Sequence, residues 1–136
     1  MGTDHARPAE PVQPRQSSAF DGVVITVEPR GQRWLVVHVT GELDMVTAPS
    51  LRAEVVEMFD QGLVTDRVLV FDLTSVDFIG SSGLAVLAEA VQRADVASLP
   101  PVRLVVASRA VRRTVEVTGM DAVLAIFPDM AAATAD

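Results

Sequence analysis

Several residue types that support catalysis or metal binding are missing from this chain of 136 residues. It contains no cysteine, no lysine and no tyrosine, and it has two histidines. The lack of cysteine excludes disulfides, thiolate nucleophiles and zinc–thiolate sites. The lack of lysine excludes a Schiff base and the Walker-A type of phosphate loop. Few groups remain for acid–base or metal chemistry, so we expect neither a metal site nor a cofactor.

Aromatic residues and positive charge are also scarce. The chain has five phenylalanines and one tryptophan, too few for a base-stacking platform, and its formal net charge of −7 opposes binding to a phosphate backbone. No apolar stretch approaches the roughly 20 residues that a membrane-spanning helix needs. Residues 1–19 contain three prolines and no secretory apolar run. These features predict a cytoplasmic protein that binds neither nucleic acid nor a membrane.

Enough apolar residues are present for one well-formed core. They make up 49% of the chain, and folding at this length buries roughly two-thirds of the surface of the unfolded chain. Residues 1–20 place prolines among polar residues, which predicts a disordered N-terminal tail. A single folded domain is expected over residues 21–136.

Strand patterns recur through this domain. The first two runs are β-branched and flank a turn, which predicts an antiparallel hairpin. The next two are almost continuously apolar, as in strands of a parallel sheet that are buried on both faces. In chain order, the five predicted strands cover residues 23–28, 34–40, 68–73, 102–107 and 122–127.

Helix patterns separate the later strands. Thr47 is predicted to cap the first helix and Gly62 to end it, while Ser108 is predicted to cap the third, which stops at Gly119. The second helix is expected over residues 81–94, after a loop at residues 74–80. The alanine-rich end predicts a weak terminal helix. The result is an α/β fold of order ββαβαβαβ(α), with a mixed, mostly parallel sheet and an N-terminal antiparallel hairpin.

The most informative polar segment is Gly-Ser-Ser-Gly at residues 80–83, which follows a buried strand and opens a helix. The carboxyl ends of parallel strands form the working edge of such sheets. A helix start offers free N–H groups and a positive dipole end, which would accept a phosphate, bound or covalently attached. Serine is also a common helix cap and glycine a common turn residue, so simple capping remains an alternative interpretation.

A serine hydrolase is the enzyme alternative for this segment. The motif G-x-S-x-G would require glycine at position 84, which is Leu84. A general base is also lacking, because His5 lies in the predicted tail and His38 lies in the middle of a predicted strand. We therefore predict that the chain is not an enzyme.

Acidic residues gather in the first helix and the segment before it. Between Glu42 and Asp60 there are five acidic residues and one basic residue, Arg52. Two interpretations remain open: a solvated turn and helix, or a negatively charged face that steers a basic partner.

Three segments, in this order, resemble the STAS domain of bacterial anti-sigma factor antagonists. They are GELDMVTAP at residues 41–49, VFDLTSVDFIGSSGL at residues 70–84 and the helix from residues 107–108 to residues 119–120. The resemblance spans about residues 22–130. A single STAS-like domain is therefore expected over residues 21–136.

The resemblance implies a binding protein controlled by phosphorylation, and a monomer is the default expectation for its oligomeric state. In this family the unphosphorylated antagonist binds an anti-sigma factor that is also a GHKL-type serine kinase, which releases a sigma factor for transcription. The kinase phosphorylates a serine in a D-S-S-G motif, the complex separates, and a PP2C-type phosphatase resets the antagonist. On this chain the phosphoacceptor corresponds to Ser81, and Gly80 replaces the aspartate of the motif. The implied partner-binding residues are Glu42, Asp44, Thr47, Gly80, Ser82 and Gly83.

The same fold also allows an alternative function. A STAS module that is never phosphorylated could bind a nucleotide or a lipid, or serve as a scaffold in a larger sensory assembly. Glycine at position 80 is the feature that keeps this alternative open.

Overall fold

A computed structural model describes residues 15–17 and 22–135 of the chain. Six strands, four helices and a short 3-10 turn are assigned within these residues. The strands are β1 (Arg15–Ser17), β2 (Val23–Arg30), β3 (Trp34–Leu43), β4 (Val68–Ile79), β5 (Arg103–Val105) and β6 (Ala125–Phe127). The helices are α1 (Ala48–Asp60), α2 (Ser81–Val96), α3 (Arg109–Val117) and α4 (Met130–Ala133), and the 3-10 turn is Met120–Ala122.

The strands lie side by side in one sheet in the order in which they occur along the chain. β2 pairs antiparallel with β1 and with β3, and β3 to β6 pair in parallel. Parallel crossovers are right-handed, and a sheet that grows in one direction therefore places all its crossover helices on the same face. The predicted α/β class, the N-terminal hairpin and the order ββαβαβαβ(α) are confirmed, with β1 as an additional edge strand.

Side-chain alternation along the strands separates the two faces of the sheet. On β3, Leu35, Val37 and Val39 belong to the main core, which includes buried residues of α1, α2 and α3. Trp34 and Val36 of the same strand belong to a smaller cluster on the other face. Because β3 is buried on both faces, its sequence is almost continuously apolar, as expected for a central strand.

The short helix α4 covers one end of the smaller cluster. Ala133 is buried there, and a guanidinium N–H of Arg103 donates to its carbonyl oxygen at 2.7 Å. The same guanidinium lies 5.0 Å from the ring centroid of Trp34, within the range of a cation–π contact. The predicted terminal helix is therefore four residues long and is held by side chains of two strands.

The predicted loop at residues 74–80 is wrong, because β4 continues to Ile79. Beyond two register shifts, this extension pairs in parallel with the end of β3, up to Leu43 opposite Ile79. The register shifts break the alternation of buried and exposed residues, so that Val76 and Ile79 are buried three positions apart. A pattern of period two could not predict a strand there.

Other differences are smaller. The strand predicted over residues 122–127 begins at Ala125, after the 3-10 turn, and the strand predicted over residues 102–107 is limited to β5. Arg15–Ser17, within the predicted tail, pairs with β2 because an edge strand offers unpaired backbone groups to a neighbouring segment. Residues 1–14 and 18–20 of that tail lie outside the described residues. In the described part of the chain, no helix is long and apolar enough to cross a membrane.

Candidate functional site

The candidate site lies where β3 and β4 end and α2 begins. The N–H of Gly80 donates to the carbonyl oxygen of Leu43 at 2.8 Å, which joins the two strand ends. The N–H of Leu84 then donates to the carbonyl oxygen of Gly80 at 3.0 Å and starts the helix. This pairing brings the segment after β3 beside the Gly-Ser-Ser-Gly segment, although about 40 residues separate them in sequence.

The two serines differ in accessibility. Ser81 is the first residue of α2 and is exposed. Ser82 is half-buried and lines a groove of about 350 Å³, together with Met45 and Arg52. A larger groove of about 840 Å³ runs farther along α2 and is not lined by either serine. A second protein could therefore reach the hydroxyl of Ser81 more directly than that of Ser82.

The two glycines that flank the serines have different structural roles. At Gly83 an added Cβ would lie 2.9 Å from Ile79 Cγ1 and 2.9 Å from Leu43 Cβ, closer than such atoms normally approach. A residue with a side chain would not fit at position 83, because α2 starts in direct contact with the ends of both strands. At Gly80 the nearest atom to an added Cβ would be in the ring of Phe78, at 3.4 Å.

Residues 44–47 form a tight turn that leads into α1. The Oδ1 atom of Asp44 accepts from the backbone N–H groups of Val46, at 2.9 Å, and Thr47, at 3.0 Å. The hydroxyl of Thr47 donates to the carbonyl oxygen of Glu42 at 2.6 Å and accepts from the N–H of Asp44 at 2.9 Å. These bonds hold the turn in one conformation, and they lower the pKa of the Asp44 carboxyl, mainly through the backbone N–H of Thr47.

The prediction that the side chain of Thr47 caps α1 is wrong. Thr47 occupies the cap position, but its side chain makes no capping hydrogen bond to α1. Its backbone is already helical, with φ −92° and ψ −24°, whereas a capping side chain normally extends from a β-region backbone. Thr47 is 3% exposed and acts within the turn instead.

The predicted partner-binding residues fall into two groups. Glu42 is exposed, while Asp44, Gly80 and Ser82 are half-buried at the surface. Thr47 and Gly83 are buried, so they lie beneath this surface. Gly80, Ser82 and Gly83 adjoin Ser81 in sequence, while the other three lie at or just after the end of β3, which pairs with the end of β4.

Three exposed apolar side chains at this surface were missed by the sequence analysis. Met45 is 78% exposed, Val46 is 65% exposed and Phe78 is 49% exposed. Met45 and Val46 project from the tight turn, and Phe78 lies against Gly80. The available signal was an apolar pair in a turn between two polar residues, where polar side chains are usual.

The histidine of the described region lies away from this surface. His38 continues the side of β3 that carries Trp34 and Val36, opposite α1 to α3. Its Nδ1 atom is 2.8 Å from Asp72 Oδ2 and its Nε2 atom is 2.7 Å from Glu28 Oε1. The imidazole is therefore occupied by two carboxylates and is not positioned as a base for Ser81.

These features define a class: a small α/β domain with an accessible serine at the helix start beside its paired strand ends. The chain belongs to the STAS domain family, whose model matches residues 24–133. The resemblance given by its three sequence segments is thereby confirmed.

Relatives with this domain are named as anti-sigma factor antagonists. The anti-sigma-F factor antagonist RsfB of Mycobacterium tuberculosis is 30% identical over 112 residues, covering 81% of this chain and 85% of that protein. A crystal structure of an anti-sigma factor antagonist from Mycobacterium paratuberculosis is 34% identical, with a TM-score of 0.68. That match covers 86% of this chain and 95% of the other.

More distant structures share the fold. The anti-sigma factor antagonist SpoIIAA in its unphosphorylated form is 20% identical, with a TM-score of 0.64 over 80% of this chain and 92% of that chain. The Bacillus cell fate determinant SpoIIAA in its phosphorylated form is 19% identical, with a TM-score of 0.58 over 80% and 96% of the two chains.

Proposed function

We propose that this chain is a cytoplasmic anti-sigma factor antagonist whose docking to an anti-sigma factor is switched off by phosphorylation of Ser81. In this proposal the anti-sigma factor is a GHKL-type serine kinase, and a PP2C-type phosphatase restores the unmodified form. The antagonist itself catalyses no reaction. The names of its relatives supply the class of partner, an anti-sigma factor.

The exposure of Ser81 at the first position of α2 is the observation that carries this proposal. A kinase must reach the hydroxyl oxygen, and a docked partner must be sensitive to a charge placed on it. Exposed Glu42 and half-buried Asp44 flank Leu43, whose carbonyl oxygen accepts a hydrogen bond from the N–H of Gly80. The acceptor oxygen therefore belongs to a surface that is already negative.

Electrostatics explains how a phosphate at this position would act. A phosphoserine adds roughly −1.5 to −2 charges at pH 7. At a helix N-terminus this charge is stabilised by about 0.3–1 kcal/mol, so the domain should stay folded. Within a dehydrated interface the same charge meets other acidic groups and loses its hydration. A cost of roughly 3–4 kcal/mol there would weaken binding several-hundred-fold.

Substitutions at Ser81 test this switch. Ser81→Asp should weaken binding to the purified anti-sigma factors of the same organism by at least about tenfold, measured by calorimetry. The melting temperature, followed by circular dichroism, should barely change. Ser81→Ala should bind like the wild type and should gain no phosphoryl group, by intact-mass spectrometry, when incubated with ATP and a binding kinase.

Ser98→Asp is a matched control for the added charge. Ser98 is exposed and lies beyond the far end of α2, roughly 24 Å from Ser81 along the helix axis. This variant should bind normally. Equal weakening by both aspartate variants, or a melting temperature lowered by many degrees in Ser81→Asp alone, would contradict the proposed switch.

Glycine at position 80 favours a second candidate, a STAS module that docks without being switched. Gly80 is half-buried with the ring of Phe78 beside it, where the family motif has an aspartate. In that case the chain would bind its partner, and no binding kinase would phosphorylate either serine. The intact-mass experiment separates the two candidates, because both predict binding and one predicts the phosphorylated product.

A further inference from the structure

We infer that Met45 and Val46, supported by Phe78, are the apolar anchors of the docking surface, and that they fit a protein with an apolar patch edged by basic side chains. This inference rests on the proposed function and names the surface chemistry of its partner. It assigns binding free energy to residues that were not among the partner-binding residues predicted from the sequence.

The turn at residues 44–47 holds the two side chains outward. Asp44 accepts hydrogen bonds from the backbone of Val46 and Thr47, and buried Thr47 fastens both ends of the turn. Each anchor therefore loses little backbone freedom on binding, which lowers the entropic cost of association. Asp44 and Thr47 act here as positioning residues for Met45 and Val46.

The apolar side chains are grouped around the start of α2. Met45 lines the same groove as Ser82, and the ring of Phe78 lies beside Gly80. Among the residues whose burial the structure describes, the other large exposed apolar side chains are single valines near the ends of α2 and α3 and after the 3-10 turn: Val96, Val117 and Val123. Scattered apolar residues are ordinary on a protein surface, whereas a group beside a candidate modification site marks an interface.

The charges around this group specify the partner further. Glu42 and Asp77 are exposed at the ends of β3 and β4. The nearest cation in the groove, Arg52, is already paired with Glu89, its Nε lying 2.8 Å from a carboxylate oxygen. The rim is therefore acidic, and complementarity requires arginine or lysine around the apolar patch of the partner.

Single substitutions by serine test the anchors. Met45→Ser and Val46→Ser should each weaken binding to the purified anti-sigma factor by about tenfold, the usual scale for a buried interface anchor. Melting temperatures should not fall, because both side chains are exposed in the free protein. Val117→Ser is the matched control, since Val117 is 76% exposed on α3, and it should bind like the wild type.

The outcomes separate this inference from the proposed function. If the wild type binds and both serine variants bind as tightly as the wild type, the assignment of Met45 and Val46 as anchors is wrong and the proposed function stands. If the wild type binds no anti-sigma factor, the proposed function fails and the inferred partner fails with it. Sedimentation provides a further test: self-association of the wild type that Met45→Ser abolishes would identify a second copy as the occupant and overturn the inference.

Discussion

Glycine shows how two identical residues, three positions apart, differ in what they contribute. Gly83 is required by contact, because an added methyl group would overlap the side chains of Ile79 and Leu43. Gly80 is under no such constraint, since its φ of −100° is ordinary for any residue and its surroundings leave space for a Cβ. Close packing at Gly83 sets the angle at which Ser81 is presented.

Gly83→Ala should therefore destabilise the domain by about 1–3 kcal/mol, as expected for overpacking between rigid backbone segments. The free energy of unfolding, measured by urea denaturation, checks this value. Gly80→Ser is the control: it should leave stability unchanged or raise it slightly, because serine is a good cap at a position with an extended backbone. Equal stability of Gly83→Ala and the wild type would show that α2 can shift away from the strand ends.

At the scale of elements, one histidine connects three strands. His38 on β3 lies between Glu28 on β2 and Asp72 on β4, within hydrogen-bonding distance of both carboxylates. A neutral imidazole has one donor and one acceptor, whereas carboxylates only accept, so both contacts are satisfied only by the protonated ring. The hydrogen bond to Asp72 is the main cause of the raised pKa of His38, with Glu28 adding to it against partial burial.

This cluster predicts that stability depends on pH. Because the pKa of His38 is higher in the folded protein than in the unfolded chain, its contribution is complete below the unfolded value of about 6.5. It is lost as the pH rises through the folded-state pKa. Asp72 limits stability at acidic pH. Burial opposes its ionisation, but hydrogen bonds from His38 and Thr74 lower its pKa to about 2. Its contribution to the free energy of unfolding is therefore lost as the pH falls towards that value.

Melting temperatures of the wild type and His38→Gln should test this dependence. The wild type should melt several degrees higher at about pH 6, and the difference should shrink as the pH approaches about 9; roughly 4 °C corresponds to 1 kcal/mol for a domain of this size. In Asp72→Asn, the NMR titration midpoint of His38 should fall. Parallel curves for the two proteins across this range would contradict a protonated bridge.

Elements also show where sequence periodicity succeeds and where it fails. The hairpin of β2 and β3, the end of α1 before Gly62 and the cap of α3 by Ser108 follow from local patterns and are confirmed. The extension of β4 was missed because its pairing with the end of β3 shifts register, and a register depends on two distant segments at once.

At the scale of the whole molecule, charge should govern association more than stability. With a net charge of −7, the chain should attract a basic partner, and the range of this attraction shortens as the salt concentration rises. Affinity for the anti-sigma factor should therefore fall as ionic strength rises from about 50 mM to about 500 mM. Glu42→Gln should lower mainly the association rate, measured by stopped flow. Affinity that rises with salt would show that apolar contacts alone drive docking.

The sequence by itself determined the class of fold, the order of its elements and the position of the serine segment. Apolar periodicity, capping residues and three short motifs are local properties, and they suffice for those conclusions. Only the tertiary structure decided which of these residues face outward. Thr47 and Gly83 became buried supports, and Met45 and Val46 became exposed, because the pairing of two strand ends and the hydrogen bonds of one turn fix the direction of each side chain.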